Sequence, residues 1–210
     1  MEILRLALLG ASGHGKVVVD TALMVGCEEV IFFDDAWPDK TTVGPWSVIG
    51  NSKKLIEYKD SFDGAIVSIG NNLRRLAAQS FILENKIQLI KIIHPSAIVS
   101  LYSEIGMGSV VFAGSVVNAF AKIGSGCIIN TCSSIDHVCV LADGVHLSPG
   151  AHLGGGVSVG TATWIGIGAS VKQGVHIGEN VIVGAGAAVV NDIESGLTVV
   201  GVPARRLNIK

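Results

Sequence analysis

The sequence predicts a small α/β domain followed by a parallel β-helix. Three observations carry that prediction. Over residues 1–90, short apolar runs alternate with stretches of helical character. Near residue 91 the period of the pattern changes to six. From Ile93 through Val189 every sixth residue is then Ile, Leu or Val, without interruption. Alternating strands and helices specify a parallel sheet covered by helices, whereas a sustained six-residue period is that of a strand and turn repeated around a coil.

In the first domain, LRLALLG reads as a buried strand because its apolar run is short, uncharged beyond Arg5 and closed by glycine. His14 to Val25 suits a helix. VIFFDD is a second strand and GAIVSIG a third, each a run of bulky apolar residues bounded by polar or turn-forming ones. DDAWPDKTTVGPWSVIGN, rich in Pro, Gly, Asp and Thr, reads as a loop leading to a short helix near Ser52 to Tyr58. Asn71 to Asn85 reads as a helix.

Residues 91–210 form the second domain. Each hexad supplies one short strand and a turn, three hexads make one coil, and successive coils stack at the inter-strand spacing of about 4.8 Å. Four residues after each aliphatic position stands a small residue or Val, and glycine recurs at the turns, as in IGSG, IGIG and VGAG. The aliphatic columns fill the interior. Each buried side chain contributes roughly 1.5–3 kcal/mol before conformational entropy is subtracted.

The balance of the 210 residues bounds the function. Apolar residues make up 49%, charged residues only 15%, and the net charge is -2 with no cluster of Lys or Arg, so the electrostatic footprint of a nucleic-acid or anionic-membrane binder is missing. Cys27, Cys127, Cys132 and Cys139 contain no C-x-x-C pair, which favours buried reduced thiols over metal ligation; no metal is expected. The apolar run at the N-terminus ends in glycines and is too short for a signal core or a membrane span. A cytoplasmic protein is expected.

Two segments carry chemistry. GASGHG after the first strand, with Asp34 and Asp35 ending the second, has the Rossmann-like layout of a nucleotide site: close backbone approach at the glycines, a helix N-terminus for phosphate, and acids for ribose or base. The spacing G-x-x-G-x-G is not that of a dinucleotide fold, and a glycine turn that only packs helix on strand stays open as a reading. The second segment is SSIDHVCV. His137 falls outside both columns, in the turn of its hexad, and Gly155 stands one coil later, leaving open space beside the imidazole. A neutral imidazole can accept the proton that an amine or hydroxyl loses on attacking a thioester.

GASGHGKVV, FFDD, IGNN, IHPSA, the Asp-His step and the tail GVPARRL together resemble the hexapeptide-repeat nucleotide-sugar acyltransferases. That group includes the sialic acid O-acetyltransferases and the UDP-4-amino-sugar N-acetyltransferases of bacillosamine synthesis. The resemblance spans nearly the whole chain and implies a left-handed β-helix, an exception to the usual crossover hand. It implies a nucleotide-linked sugar held near Ser12, Gly13, His14, Asp34, Asp35 and Asn71, with Asn130 near the acceptor. It implies His137 as general base and Asp136 as its orienting acid, although Val138 stands where relatives often carry a second acid. Acetyl-CoA is expected along His146, Gly155, Ile167 and Ala185, in the groove between two β-helices of a homotrimer. Flat apolar outer faces, with Trp164 in an outward slot, fit such an assembly.

The reaction this implies is N-acetylation of a UDP-4-amino-4,6-dideoxy sugar by direct attack on acetyl-CoA. O-acetylation of a sialic acid or related sugar is the alternative. A zinc-dependent β-helix enzyme would need His137, His146 and His152 to converge, and their spacings do not match the coil. A non-catalytic sugar-nucleotide binding module would leave His137 dispensable.

Overall fold

The computed structural model describes residues 5–207; Leu4, the first residue of the expected first strand, lies outside them. The chain divides into two compact units between Pro95 and Ser96.

The first unit holds β1 (Arg5–Leu9), α1 (Gly13–Met24), β2 (Glu29–Phe33), β3 (Thr42–Val43), β4 (Trp46–Gly50), α2 (Ser52–Glu57), β5 (Gly64–Val67) and α3 (Asn72–Glu84). The sheet runs β3-β4-β2-β1-β5 and is parallel except at the β3–β4 pair. Strand order reverses direction at β1, which leaves a crevice at the carboxyl ends of β1 and β5, the place where open α/β sheets bind ligands. One face of the sheet packs Ala7, Leu9, Phe33 and Val67 against Leu55 of α2 and Ile82 of α3. Gly10 has φ +114, a conformation that side chains rarely adopt, and a Cβ there would lie 2.8 Å from Ile69 Cγ1. At Gly15 a Cβ would sit 2.7 Å from the Gly10 carbonyl oxygen, so the two glycines let α1 close down on the strand ends.

The segment between β2 and α2 differs from the expected loop. It contains the β3–β4 hairpin, and β4 extends the sheet by pairing with β2. The alternation in WSVIG is real, with Val48 and Gly50 buried, but Gly44 and Pro45 immediately before it gave the whole stretch the composition of a loop.

In the second unit, two-residue strands recur every six residues from Ile98–Val99 to Ala188–Val189 and pair in parallel with the strands one coil away, as in Ser134↔His152 and Ile135↔Leu153. Three flat sheets result, one per side of a triangular coil. The second residue of most strands points inward and is buried: Ile129, Ile135, Leu147 and Ile165 have no exposed surface. Each turn from Gly108 to Gly186 places one residue at positive φ, again every six residues. Nine are glycine; Phe120, Cys132, Val138, Ala162 and Asn180 adopt the conformation without that freedom. The last two strands close the stack: Thr198–Val200 pairs parallel to Ile182–Val183, and Arg205–Arg206, within GVPARRL, returns antiparallel to Thr198–Val200. Cys27, Cys127 and Cys139 are buried free thiols, whereas Cys132 is an exposed one. No helix among the described residues is long and apolar enough to cross a membrane.

Candidate active site

A cleft of about 750 Å³ opens at the carboxyl ends of β1, β2 and β5. Four of the expected nucleotide contacts line it: Ser12, Asp34, Asp35 and Asn71. Ser12 opens α1 but makes no side-chain cap, so its hydroxyl is not committed to the helix. Asn71 is committed: its side-chain oxygen accepts the Arg74 backbone N–H at 3.0 Å and starts α3. Asp34 is also a structural group. Its Oδ2 accepts from Ala11 N at 2.6 Å and its Oδ1 from Ala36 N at 3.0 Å, latching the glycine turn to the end of β2. Burial opposes its ionisation, but the Ala36 and Ala11 N–H groups and Lys40, 3.6 Å away, outweigh that and hold its carboxyl below the usual range. Asp35 is exposed, and only its Oδ1 accepts a hydrogen bond, from Ser52 N at 2.9 Å.

Gly13 and His14 do not line this cleft. A Cβ at Gly13 would meet nothing within 4 Å, so the turn is open there. The His14 imidazole turns inward instead, where burial, with a smaller contribution from the Arg75 charge, lowers its pKa to about 4. Arg75 is itself buried and donates to the carbonyls of Ile69 and Gly70 at 3.0 and 3.1 Å, fixing the turn between β5 and α3. Sequence reasoning missed the α3 wall of the cleft, formed by Arg74, Ala77, Ala78 and Phe81. The signal was present as an i, i+3, i+4, i+7 stripe.

In the β-helix, His137 sits exposed at one corner of the coil. The hydrogen bonds Val138 N to Ala119 O, Gly156 N to His137 O and Gly174 N to Gly155 O stack Ala119, His137, Gly155 and Gln173 in one column. The imidazole lies over Gly155: a Cβ there would stand 2.5 Å from Nε2 and 2.6 Å from Cε1. The space that glycine leaves is therefore filled by the imidazole rather than left open beside it, because the side chain lies along the column. Asp136 does not orient the ring by a hydrogen bond within the described residues. Its Oδ1 accepts from the His137 backbone N–H at 2.7 Å and from Asn118 Nδ2 at 3.0 Å. These two bonds, in that order, hold its carboxyl below the ordinary range, and they fix the backbone of the turn.

The remaining candidates occupy a different corner. Gly168 N to Pro149 O and Gly186 N to Ile167 O stack Thr131, Pro149, Ile167 and Ala185, and both Ile167 and Ala185 are exposed. Asn130 precedes this column. Its Nδ2 lies 3.2 Å from His146 Nε2, and its Oδ1 accepts from Thr131 N at 2.9 Å. His146 is only 7% exposed and stacks on Trp164 at 4.9 Å, whose indole N–H donates to Ser148 Oγ at 2.6 Å. One chain thus brings His137 and Gly155 together, and separately Asn130, His146, Ile167 and Ala185.

An α/β unit with an open cleft, followed by a hexapeptide-repeat β-helix, is the architecture of the acyltransferases built on this repeat. Comparison with known proteins specifies it further. Residues 5–80 match the PglD N-terminal domain family. The chain is 40% identical to the acetyltransferase domain of PglB from Neisseria gonorrhoeae, solved with acetyl coenzyme A, over 97% of this chain and 99% of that one, with a TM-score of 0.93. It is 35% identical to perosamine N-acetyltransferase from Caulobacter crescentus, over 97% of both chains with a TM-score of 0.94, in a mutant solved with CoA and GDP-perosamine. WeeI from Acinetobacter baumannii is 28% identical over 96% of this chain and 99% of that one, with a TM-score of 0.84. The chain belongs to the PglD-type sugar acetyltransferases of the hexapeptide-repeat family, whose β-helix is left-handed.

Proposed function

We propose that this protein transfers the acetyl group of acetyl-CoA to the amine of a nucleotide-linked 4-amino-4,6-dideoxy sugar of the UDP type. The observation that carries this reading is the exposed His137 imidazole held over Gly155, in a chain matched over 97% of its length by enzymes solved with acetyl-CoA or with CoA and an amino-sugar nucleotide. The cleft of the first unit receives the nucleotide, with the Ser12 hydroxyl and Asp35 Oδ2 among its uncommitted polar atoms.

In the reaction the sugar amine forms a bond to the thioester carbonyl carbon and the carbon–sulfur bond breaks. His137 accepts the proton that the amine loses, and the departing CoA sulfur takes a proton to leave as the thiol. No covalent enzyme intermediate is required. Asp136 supports the base by anchoring the turn that carries it. Acetyl-CoA would lie along Ile167 and Ala185, beside His146. These stand on a different corner from His137, which is why we also infer a cyclic trimer that apposes the two corners of neighbouring chains.

The test is turnover of acetyl-CoA, read as free thiol, against UDP-, GDP- and dTDP-linked 4-amino sugars and a sialic acid. Amide formation on the UDP sugar supports the reading. Thiol release with the sialic acid alone would replace it with O-acetylation.

A further inference from the structure

The charge of the first-unit cleft is unbalanced for the ligand it is assigned. Of the described residues that line it, Asp34 and Asp35 are acidic and Arg74 is the sole cation. A nucleoside diphosphate carries its charge on phosphate; Lys40, 3.6 Å from Asp34, offsets one of the two carboxylates, and Asp35 is left to repel it. Arg74 lies in the first turn of α3, on the stripe shared with Ala77, Ala78 and Phe81, and the two alanines leave the room beneath it that larger side chains would fill. Its neighbour Arg75 is buried and spent on the carbonyls of the β5–α3 turn. Arg74 by contrast is exposed, and among the described residues its guanidinium makes no hydrogen bond or ion pair within the chain. A planar group with five donors, placed on a cleft wall without a partner, matches a phosphate in charge and in geometry.

We infer that Arg74 is the cation that pairs with the diphosphate of the sugar nucleotide, while the apolar stretch from Leu9 to Ile69 and Phe81 takes the base. This rests on the nucleotide reading of the cleft given above. Asp35 then serves as an acceptor for ribose or base hydroxyl and N–H groups rather than as a neighbour of phosphate. The pairing is made equally in the ground state and the transition state, so its loss moves KM rather than kcat.

The experiment is calorimetric titration of UDP, GDP, dTDP, UMP and uridine into the full-length protein, and of UDP, UMP and uridine into its Arg74→Gln and Arg74→Lys variants, with sugar-nucleotide kinetics alongside. We expect Arg74→Gln to weaken UDP about 10- to 100-fold, the range for losing a charge-assisted bidentate contact, and to leave uridine within about twofold. Arg74→Lys should recover part of the UDP affinity. KM should rise with kcat unchanged, and the salt dependence of UDP binding should flatten. Equal UDP affinity in Arg74→Gln overturns the inference, as does an equal loss for uridine, which would move Arg74 to the base or ribose. Failure of the unaltered protein to bind any of UDP, GDP or dTDP would instead overturn the nucleotide reading of the cleft, and this inference with it.

Discussion

Replacing Gly155 by alanine separates catalysis from folding at a single position. The added Cβ would stand 2.5 Å from His137 Nε2 and 2.6 Å from Cε1, where ordinary contact begins at 3.4 Å. The flexible, exposed imidazole is the group that yields, by about 1 Å, and a displacement of that size at a reacting group costs on the order of 10²-fold in rate. The backbone does not resist the change, because Gly155 is outside the left-handed region. Restricting the unfolded chain should even stabilise the protein by roughly 0.4–1 kcal/mol, raising Tm by about 1–4 °C in a chain of this size. The assay is thiol release from acetyl-CoA together with a thermal unfolding curve. In a His137→Ala background the same alanine should cost nothing further, since the group it displaces is gone. Turnover of Gly155→Ala within about threefold of the unaltered protein, or a loss that tracks a lowered Tm, would refute the placement of the base over this glycine.

Other perturbations probe separate links of the argument. His14 binds its proton less readily folded than unfolded, with a pKa of about 4 against 6.5; the unfolded chain therefore holds the extra proton between those values, and stability falls as pH drops through that window, by up to about 3 kcal/mol. Urea midpoints measured from pH 7 to 4 should show that loss, and His14→Asn should flatten it; an unchanged slope would assign the acid sensitivity elsewhere. Val138 is a β-branched residue at φ +54, a conformation costing about 1–2 kcal/mol. Val138→Gly should raise Tm by a degree or two despite the greater freedom of glycine when unfolded, and a fall in Tm would mean that its contacts outweigh the strain. Asp136→Asn keeps an oxygen for the His137 N–H and should lower kcat less than tenfold, whereas Asp136→Ala loses the anchor and should cost more; equal kinetic losses would point to the charge itself. Mixing His137→Ala with Ala185→Trp chains under conditions that reassort subunits should restore about a quarter of the activity if neighbouring chains share each site. Verified mixed trimers without recovery would place the whole site on one chain.

The β-helix was legible because its period is imposed by sterics: every strand must present one aliphatic side chain to a narrow interior, and from Val99 to Val189 the sequence complies. His137 and Gly155 were legible for the same reason, since counting hexads places them one above the other. What counting cannot supply is side-chain direction. It put the imidazole beside Gly155 rather than on it; the resemblance, for its part, made Asp136 a partner of the ring rather than of the turn and set His14 by the ligand, whereas its surroundings are interior. In the first unit the α3 stripe from Arg74 to Phe81 escaped notice because two alanines and an arginine read as an ordinary solvated helix face, and only the sheet topology turns that face toward a cleft. The β3–β4 hairpin was hidden by its own turn residues.

The coil also sets what insertions and deletions can do. Six residues gained or lost within a turn would keep every aliphatic side chain inside, so the molecule would still fold. All positions downstream would, however, move round by one side of the triangle, carrying Ile167 and Ala185 to a corner that no longer stands in its original relation to His137. Only a change of three whole hexads, the spacing that pairs Ser134 with His152, returns each downstream side chain to its own corner, displaced along the axis. Folding therefore reads the chain length in sixes, whereas the angular relation between the two corners is kept only in eighteens, and even then at the cost of a shift of about 4.8 Å along the axis.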